Sequence, residues 1–466
     1  MTSVVSAHPP AEVVVDHGPR LLASIGDTMK LATHRELWSD PRLSRVATGQ
    51  LIEWARAVGI AGRGGAGFPF ATKLAAAVKA AGLVRRPVIV VNAAEGEPAS
   101  AKDFALALTV PHRVLDGAAA TAYSLRCNEI HVVVPRDRPL VGEALRAAIA
   151  ERRDAGERLS WKVTETGPGF VAGQARAVIE ALSGRPGLPT TAWQPEAVSG
   201  LRGRPTLLSN AETWAQVGAL VTLGPEAYAG LGADAEPGTT LLSLSGLPGL
   251  APGTVRVVEV PYGTQWSEVL GDAVSRPVLV GGFHGTWAPG GALASMRVSR
   301  VAMGAMGAMG LTLGAGVAVL LPDGECPVAV TAAITAYLAS ESAGRCGPCF
   351  NGLPVLAAEV SALAGCDVGA SYTRIRDLLG LVERRGACAH PDGTARLVRS
   401  MVTVFEDEVV AHLGGVCRIA EDGLRARIGE GMATGLAGVG VRAGVGAEPR
   451  AEACGEARAE TGVGRP

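Results

Sequence analysis

The sequence lacks the features that mark secreted, membrane-spanning or nucleic-acid-binding proteins. Its eight cysteines among 466 residues are too few for a disulfide scaffold. A formal net charge of -1 argues against nucleic acid or an anionic membrane surface as the main partner, since both attract a basic face. No basic segment followed by an apolar one opens the chain, so no signal peptide is visible. We therefore expect a cytoplasmic protein, with a peripheral position on the inner face of a membrane as the alternative.

Long apolar runs are also scarce. Only residues 301–321 are apolar over a length that could span a bilayer. Repeated glycines interrupt this run and no basic clusters flank it, so a buried turn and strand is the favoured interpretation. A chain of this length predicts roughly three domains, with cores large enough to be stable without disulfides.

The first part of the chain predicts an α/β domain. Residues 1–39 show little periodicity and are expected to form an extended arm. An apolar stripe over residues 51–58, with Thr48 as its cap, predicts a helix. The apolar run at residues 87–91 does not alternate, which is typical of a parallel strand covered on both faces. A helix near residues 114–125 and a strand at 130–134 complete the pattern, and we assign residues 40–235 to this domain.

The pattern then changes twice. Short strands separated by glycine and proline predict a small mixed sheet over residues 236–325 (strands at 240–245, 254–260 and 277–280). Four apolar-striped segments predict a four-helix bundle over residues 326–428 (helices at 328–339, 354–363, 372–384 and 395–413). Residues 429–466 have no aromatic side chains and are predicted to be a disordered tail, in which Cys454 would be an incidental thiol.

A glycine-rich segment, residues 62–69 (GRGGAGFP), stands between two predicted helices and is called the glycine loop below. Without Cβ atoms, successive backbone N–H groups can approach a phosphate or a flavin ring. The spacing matches neither a P-loop nor a dinucleotide-binding fingerprint. A tight connection between helices is the competing interpretation, and Lys73 is then a surface lysine rather than a phosphate ligand.

Polar residues follow directly on the predicted buried strand. Residues 92–98 (NAAEGEP), the strand-end loop, include Asn92, Glu95 and Glu97. Ligands of open α/β sheets bind beyond the carboxyl ends of the strands, where an amide and two carboxylates can hydrogen-bond a ring edge or a ribose. The alternative is a solvated polar turn.

Cysteines concentrate near residue 350. Cys346 and Cys349 form a C-x-x-C turn, and Cys388 follows 39 residues later. Three interpretations compete: a thioredoxin-type dithiol, a zinc site with His390 as fourth ligand, and an iron–sulfur cluster. The preceding segment is predicted to be helical rather than a strand, so the thioredoxin context is absent.

Several segments resemble the NADH-binding flavoprotein subunit of respiratory complex I and the flavin subunits of NAD-linked hydrogenases and formate dehydrogenases. They are the glycine loop, the strand-end loop, and residues 102–103 (KD), 111–113 (PHR), 184–187 (GRPG), 203–206 (GRPT) and 341–349 (ESAGRCGPC). The resemblance runs over about residues 45–415 in one order. It implies a flavin-binding parallel-sheet domain, a small ubiquitin-like domain of the soluble-ligand-binding β-grasp type, and a helical bundle with an Fe–S site.

The resemblance also implies cofactors and their residues. FMN would contact Gly62, Gly64, Gly65, Gly67, Lys73, Asn92, Glu95, Gly173, Asn210 and Thr213. NADH would lie over the flavin near Phe68 and Glu97, and Cys346, Cys349 and Cys388 would bind a [4Fe–4S] cluster. Electrons would pass from NAD(H) through the flavin to the cluster, then to a ferredoxin-like or other Fe–S protein or a membrane oxidoreductase complex.

The chain departs from the family at its ligands. Ala343 occupies the position of the first cluster cysteine, so the fourth ligand would be Ser342, Cys366, a partner's cysteine or nothing, the last favouring a [3Fe–4S] or labile cluster. Ala94, Gln174 and Ala175 replace carboxylates of the family. Two functions therefore compete with a zinc protein: an NADH dehydrogenase-like oxidoreductase, and a non-catalytic electron relay that no longer oxidises NADH.

Overall fold

The computed structural model describes residues 12–23, 28–38, 41–82, 85–305 and 310–420. The predicted disordered tail and Cys454 lie outside these ranges. The first described residues form strand β1 (Glu12–Val15) and helix α1 (Leu31–Trp38), so the described part of residues 1–39 is not simply an extended arm. The prediction missed β1 because four residues are too few to show a period, and because the partner strand is distant in sequence.

Four parallel strands form the first sheet, in the order β4-β3-β2-β5. They are β2 (Val88–Asn92), β3 (Glu129–Pro135), β4 (Ser160–Thr166) and β5 (Thr206–Asn210). Both faces of β2 are covered: Ile89 and Val91 face one hydrophobic core, and Val88 and Val90 face another. This confirms the parallel strand predicted from the unbroken apolar run.

Helices cover both faces of this sheet. They are α2 (Thr48–Ala57), α3 (Phe70–Ala81), α4 (Lys102–Thr109), α5 (Pro111–Ser124), α6 (Pro139–Asp154), α7 (Ala175–Leu182), α8 (Ala211–Leu223) and α9 (Pro225–Ala229). The prediction that Thr48 caps α2 is wrong, because its hydroxyl donates to the Ser124 carbonyl (2.6 Å) and Ala47 holds the cap position.

The second sheet is mixed and six-stranded, in the order β1-β9-β8-β12-β10-β11. Its other strands are β8 (Thr239–Ser245), β9 (Thr254–Pro261), β10 (Val278–Val280), β11 (Thr286–Ala288) and β12 (Val317–Leu320). A short hairpin, β6 (Gly232–Ala233) and β7 (Glu236–Pro237), precedes it, and α10 (Trp266–Leu270) and α11 (Arg300–Ala305) are inserted. The apolar run near residue 310 thus contains α11 and β12. None of the helices in the described ranges combines the length and hydropathy needed to cross a bilayer.

Five helices end the described chain. They are α12 (Pro327–Ser340), α13 (Leu353–Ala364), α14 (Tyr372–Val382), α15 (His390–Val404) and α16 (Glu406–Leu413). The predicted single helix at 395–413 is wrong, because the backbone leaves helical geometry at Phe405 (φ −116°, ψ 39°). The Phe405 ring lies edge-on to Trp287 of β11, with centroids 5.4 Å apart. The apolar stripe continues through this break, so the sequence pattern did not reveal it.

Candidate functional site

The carboxyl ends of β2 and β5 meet at the point where the sheet order reverses. The chain runs from β2 to β3 and β4 on one side and returns on the other side with β5. Asn92 and Asn210, the last residues of β2 and β5, are register partners there. Such a switch point opens a crevice that binds ligands in α/β sheets. Two amides predicted to touch the flavin are therefore neighbours although they are 118 positions apart.

The glycine loop lies over these strand ends. The Arg63 N–H donates to Thr213 Oγ1 (2.9 Å), and Thr213 in turn contacts Asn210 at the start of α8. A Cβ on Gly64 would lie 3.9 Å from Asn210. Gly65 and Gly67 have positive φ values (106° and 64°), which favour glycine. The loop thus brings backbone, rather than side chains, to the switch point.

A second loop, residues 168–174, closes the other side of the crevice and is called the bridging loop below. Asn92 Nδ2 donates to the Gly173 carbonyl (2.7 Å). A Cβ on Gly173 would overlap the carbonyl oxygen of Ala94, so no other residue fits without moving the backbone. The bridging loop and the strand-end loop therefore pack backbone against backbone.

Lys73 lies in the first turns of α3, beside the glycine loop. Its Nζ donates to the Leu208 carbonyl (2.9 Å) and lies 3.5 Å from Glu196 and 6.0 Å from the Phe68 ring centre. Phe68 is 50% exposed, which is unusual for a large apolar side chain. A cation and an open aromatic face thus stand together at the edge of the loop.

Buried charges support the floor of the crevice. Lys102 Nζ lies 2.8 Å from Asp103 and 3.3 Å from Glu212, and Asp103 also accepts from Asn210 Nδ2 (3.1 Å). Burial alone lowers the pKa of Lys102, but Asp103 and Glu212 outweigh burial and raise it overall. This ion network fixes Asn210 from below.

Glu95 is buried and hydrogen-bonded from several sides. It accepts from the Ser100 hydroxyl and from the backbone N–H of Phe104 (3.3 Å), and its carboxylate lies 3.5 Å from Arg138. Burial raises the pKa of the Glu95 carboxyl, and Asp103 adds to the rise. In this structure the carboxylate holds its own loop and the start of α4.

Glu97 points away from Glu95, toward the second sheet. It accepts from the backbone N–H of Phe283 (2.9 Å), 186 positions away, and from that of Ala99 (3.3 Å). Burial raises its pKa to about 7. This carboxyl therefore ties the strand-end loop to the segment after β10 and titrates near neutral pH.

The chemistry of these groups fits a flavin nucleotide. Space remains at the glycine loop, since a Cβ on Gly65 would meet no atom within 4 Å. Backbone N–H groups, Lys73 and the strand-end amides are suited to a phosphate and a polar ring edge. The carboxylates of Glu95 and Glu97, two of the predicted flavin and nucleotide residues, accept backbone N–H bonds in this structure, and their roles as ligand contacts stay predictions.

The bridging loop also reaches the helical region that holds the cysteines. Glu341 accepts from the backbone N–H of Phe170 (2.8 Å), and Glu341 directly follows α12 on the way to Cys346. The Gln174 side chain lies near the Cys388 thiol, whose pKa is raised by burial and lowered by Gln174. One loop therefore contacts both the flavin crevice and the segment that leads to a candidate cluster ligand.

The three predicted cluster cysteines lie near one another. Cys346 raises the pKa of both Cys349 and Cys388, and Cys388 also raises that of Cys349. Burial and Cys346 raise the pKa of Cys349 to about 12. For Cys346, burial acts in the opposite direction, but the N–H groups of Ala387 and Cys349 outweigh it and lower the pKa. Three convergent sulfur atoms fit three corners of an iron–sulfur cluster.

His390 does not complete a zinc site with these cysteines. Its Nε2 donates to the Leu338 carbonyl (2.7 Å), and its Nδ1 accepts from His284 Nε2 (3.0 Å), so both ring nitrogens are used. Burial lowers the pKa of both imidazoles. His284 also packs against Phe170 of the bridging loop, as expected for a residue that joins the parts of the fold.

The candidates for a fourth cluster ligand separate in the structure. The Ser342 hydroxyl lies beside the cysteines and donates to the Cys349 carbonyl (3.4 Å). Cys366 lies elsewhere, with its Sγ 3.4 Å from His412 Nδ1. Ser342 is therefore the candidate that the geometry favours.

A second group of potential metal ligands was not predicted from the sequence. Cys326, Glu408, His412 and Cys417 are buried, and their donor atoms all lie within 4.8 Å of one another. The spacing E-x₃-H-x₄-C at the end of the helical region was the available signal, but Cys326 is 86 positions from His412.

Known families match the two halves of this site. Residues 55–219 match the sequence model of the Nuo51 FMN-binding domain, and residues 329–412 match that of the NADH-ubiquinone oxidoreductase-F iron-sulfur binding region. The first range holds the glycine loop and both strand ends. The second holds all three predicted cluster cysteines.

Whole-chain comparisons agree. The NADH-quinone oxidoreductase F subunit of Mycobacterium tuberculosis (strain ATCC 25618 / H37Rv) is 32% identical over 378 residues, covering 77% of this chain and 84% of that protein. The NADP-reducing hydrogenase subunit HndC of Solidesulfovibrio fructosivorans is 26% identical over 386 residues, covering 78% of this chain and 76% of that subunit. The fold resembles that of an NAD+-reducing [NiFe]-hydrogenase crystallised in the H2-reduced state (TM-score 0.74, 24% identity, 90% of this chain and 71% of that chain). The chain therefore belongs to the family of NADH-quinone oxidoreductase F subunits, as its motifs predicted.

Proposed function

We propose that this protein is an FMN- and iron–sulfur-containing oxidoreductase subunit that takes electrons from NAD(P)H and passes them to a protein acceptor. The bridging loop carries this proposal, because its Gly173 carbonyl accepts from Asn92 at the flavin crevice and its Phe170 N–H donates to Glu341, in the segment that leads to Cys346. A continuous backbone segment thus joins the two cofactor sites. The family match over both sites supports the same assignment.

In this proposal the chain's residues bind and orient the flavin. The glycine loop would present N–H groups to it, Lys73 would neutralise phosphate charge, and the ends of β2 and β5, at Asn92 and Asn210, would lie beside the ring edge. When bound, FMN would supply the conversion between hydride transfer and single-electron transfer. Thr213 and Asp103 hold Asn210 in position. Cys346, Cys349 and Cys388, with Ser342, would hold the cluster.

The nicotinamide side of the crevice is less complete than in the family. Phe68 offers an exposed ring, but Ala94 is a buried methyl group where the resemblance implies a carboxylate, and Gln174 is a neutral amide where it implies another. A ligand group left without its partner costs about 1–3 kcal/mol. These observations are the reason for a second candidate, an electron relay that keeps the cofactors but no longer oxidises NADH.

The domain division stays a proposal: residues 40–235 for FMN, 236–325 for the β-grasp domain, and 326–428 for the Fe–S bundle. The two separate sheets and the five closing helices support it. Strand β1, which lies within residues 1–39, does not follow this domain division, because it pairs in parallel with β9 of the second sheet. The N-terminal segment would therefore belong structurally to the β-grasp domain.

For the acceptor we propose a ferredoxin-like or other Fe–S protein, within a cytoplasmic assembly or one on the inner face of a membrane. Phe350, which directly follows Cys349, is 70% exposed. An exposed aromatic residue beside a cluster ligand is suited to a partner contact. The relatives named above are themselves subunits, which supports an assembly.

One anaerobic purification tests the proposal. Bound flavin, iron, acid-labile sulfide and zinc are measured per chain, and the absorbance of the flavin is followed after addition of NADH. We expect flavin and iron in the same preparation and bleaching of the flavin. Flavin and iron without bleaching would favour the relay. A preparation that binds neither flavin nor iron after reconstitution would overturn both.

A further inference from the structure

A buried group of metal-binding side chains lies at the start of α12, away from the cysteines already described. Cys326 Sγ is 3.3 Å from His412 Nε2, and Glu408 Oε1 is 3.3 Å from the same nitrogen. Cys417 completes the group, in which all donor atoms lie within 4.8 Å of one another. A tetrahedral zinc ion with bonds of about 2.0–2.3 Å needs ligand atoms roughly 3.3–3.8 Å apart. The observed spacing needs little adjustment to meet this.

The orientation of His412 is set from its other ring nitrogen. Nδ1 donates to the Leu363 carbonyl (2.9 Å), which leaves the lone pair of Nε2 directed at Cys326 and Glu408. A backbone carbonyl on the far nitrogen is how metal-bound histidines are commonly held. The imidazole is fully buried, so no water competes for this position.

The other ligands are held as well. The Glu408 carboxylate accepts from the backbone N–H of Arg418 (3.1 Å), which closes the turn that carries Cys417. Cys326 occupies the N-cap of α12, so the start of this helix fixes its position. Cys366 lies at the Nδ1 edge of His412, on the side of the ring opposite the group.

We propose that Cys326, Glu408, His412 and Cys417 bind one structural zinc ion, in a site separate from the iron–sulfur cluster. Two thiolates, an imidazole and a carboxylate form a closed four-ligand set of mixed softness, which suits Zn²⁺ in tetrahedral geometry. All four ligands come from protein, so no position stays open for substrate. The proposal does not depend on whether flavin or NADH binds.

The position of the site indicates its role. Helix α12 has 14 residues and is therefore about 21 Å long. Its N-terminus carries Cys326, and its C-terminus leads into the loop with Cys346. Zinc would fasten α16 and the turn after it to α12. It would thereby hold together the two ends of the described helical region.

Metal analysis of the full-length protein tests the site. Zinc and iron are measured per chain in the wild type and in Cys417→Ser, Glu408→Gln, Cys346→Ser and Cys366→Ser. We expect about one zinc per wild-type chain. Cys417→Ser should weaken zinc binding at least about tenfold, as measured by competition with a chelator, while iron is retained. Cys346→Ser should lose iron and retain zinc, and Cys366→Ser, the matched control, should retain both.

A spectroscopic measurement tests the site in a variant that keeps all four proposed zinc ligands, so its result does not depend on whether a ligand variant folds. In the Cys346→Ser background, Co²⁺ replaces zinc, and thiolate-to-cobalt charge transfer with tetrahedral d–d bands is expected. Absence of these bands, zinc loss in Cys346→Ser, or undiminished zinc affinity in Cys417→Ser would each overturn the proposal. None of these outcomes bears on flavin binding, so the failure of this site and the failure of the proposed function are distinguishable.

Discussion

The flavin crevice and the cysteine group solve the problem of holding a cofactor in different ways. At the crevice, backbone approaches the site closely, and the side chains beneath it, such as Asp103 and Asn210, already satisfy one another. At the cysteine group, three thiols lie near one another, and Ala343 lies beside Cys349. A change at the crevice must therefore act through geometry, whereas a change at the cysteines acts on a ligand directly.

The difference predicts which positions tolerate substitution. Gly173 is fixed by its backbone contact with Ala94, so substitution there disturbs two loops at once. Ala343, where the resemblance implies a ligand, lies in a loop whose other residues are held: Glu341 accepts from the Phe170 N–H, and the Ser342 hydroxyl donates to the Cys349 carbonyl. A ligand position tolerates substitution as far as the metal tolerates a different donor.

The largest effect is expected from Cys349→Ser. This change removes a buried sulfur ligand, and we expect iron and acid-labile sulfide to fall at least about tenfold while bound flavin is unchanged. The two cofactors are measured in one anaerobic preparation. Ala343→Cys is the converse control and should raise the iron content. Loss of flavin together with iron would show that the two regions are not independent.

The next effect is expected at Glu97, which ties the strand-end loop of the crevice to the segment after β10. Its pKa is raised to about 7 by burial, from 4.5, so the folded protein binds more protons than the unfolded chain between these values. Stability is therefore fully present at low pH and is lost as pH rises through this window, by about 3 kcal/mol.

Glu97→Gln should abolish this pH dependence. As the pH rises from 5 to 8, the thermal midpoint of the wild type should decrease relative to that of the variant. Glu143→Gln, at an exposed carboxyl on α6, is the control and should run parallel to the wild type. If the wild type and Glu97→Gln showed the same dependence of the thermal midpoint on pH, the Glu97 carboxyl would not be the group that titrates in this range.

Gly173→Ala tests the backbone contact at the crevice. The added methyl group overlaps the Ala94 carbonyl, and we expect a loss of about 2 kcal/mol in the free energy of unfolding, with weaker FMN binding. Gly167→Ala is the matched control, because a Cβ there meets no atom within 4 Å. Denaturant unfolding and flavin titration measure both effects. Equal effects of the two substitutions would remove the argument from close approach.

The sequence predicted the parts of the molecule whose signal is local. The unbroken apolar run at residues 87–91 became the buried parallel strand β2, and the C-x-x-C turn brought Cys346 and Cys349 together. The position of Asn210 beside Asn92 followed only from the family resemblance, because a pairing across 118 positions leaves no periodic trace.

Other features depend on contacts that the sequence pattern does not contain. The break at Phe405 is invisible because the apolar stripe continues through it, yet it turns α16 so that His412 meets Cys326. The contact of Glu97 with Phe283 spans 186 positions and both sheets. His390 was a reasonable zinc candidate by spacing, and only its two hydrogen bonds exclude it.

The smallest effect is expected at Lys73, which lies beside the glycine loop in the first turns of α3. If it neutralises the flavin phosphate, Lys73→Met should weaken FMN binding about tenfold, or about 1.4 kcal/mol, and leave iron unchanged. Titration of the flavin-free protein, followed by quenching of FMN fluorescence, measures the affinity. Lys79→Met, on the same helix and exposed, should have no effect. Since Lys73 also donates to the Leu208 carbonyl, an unchanged affinity would mean that it serves α3 and β5 rather than the ligand.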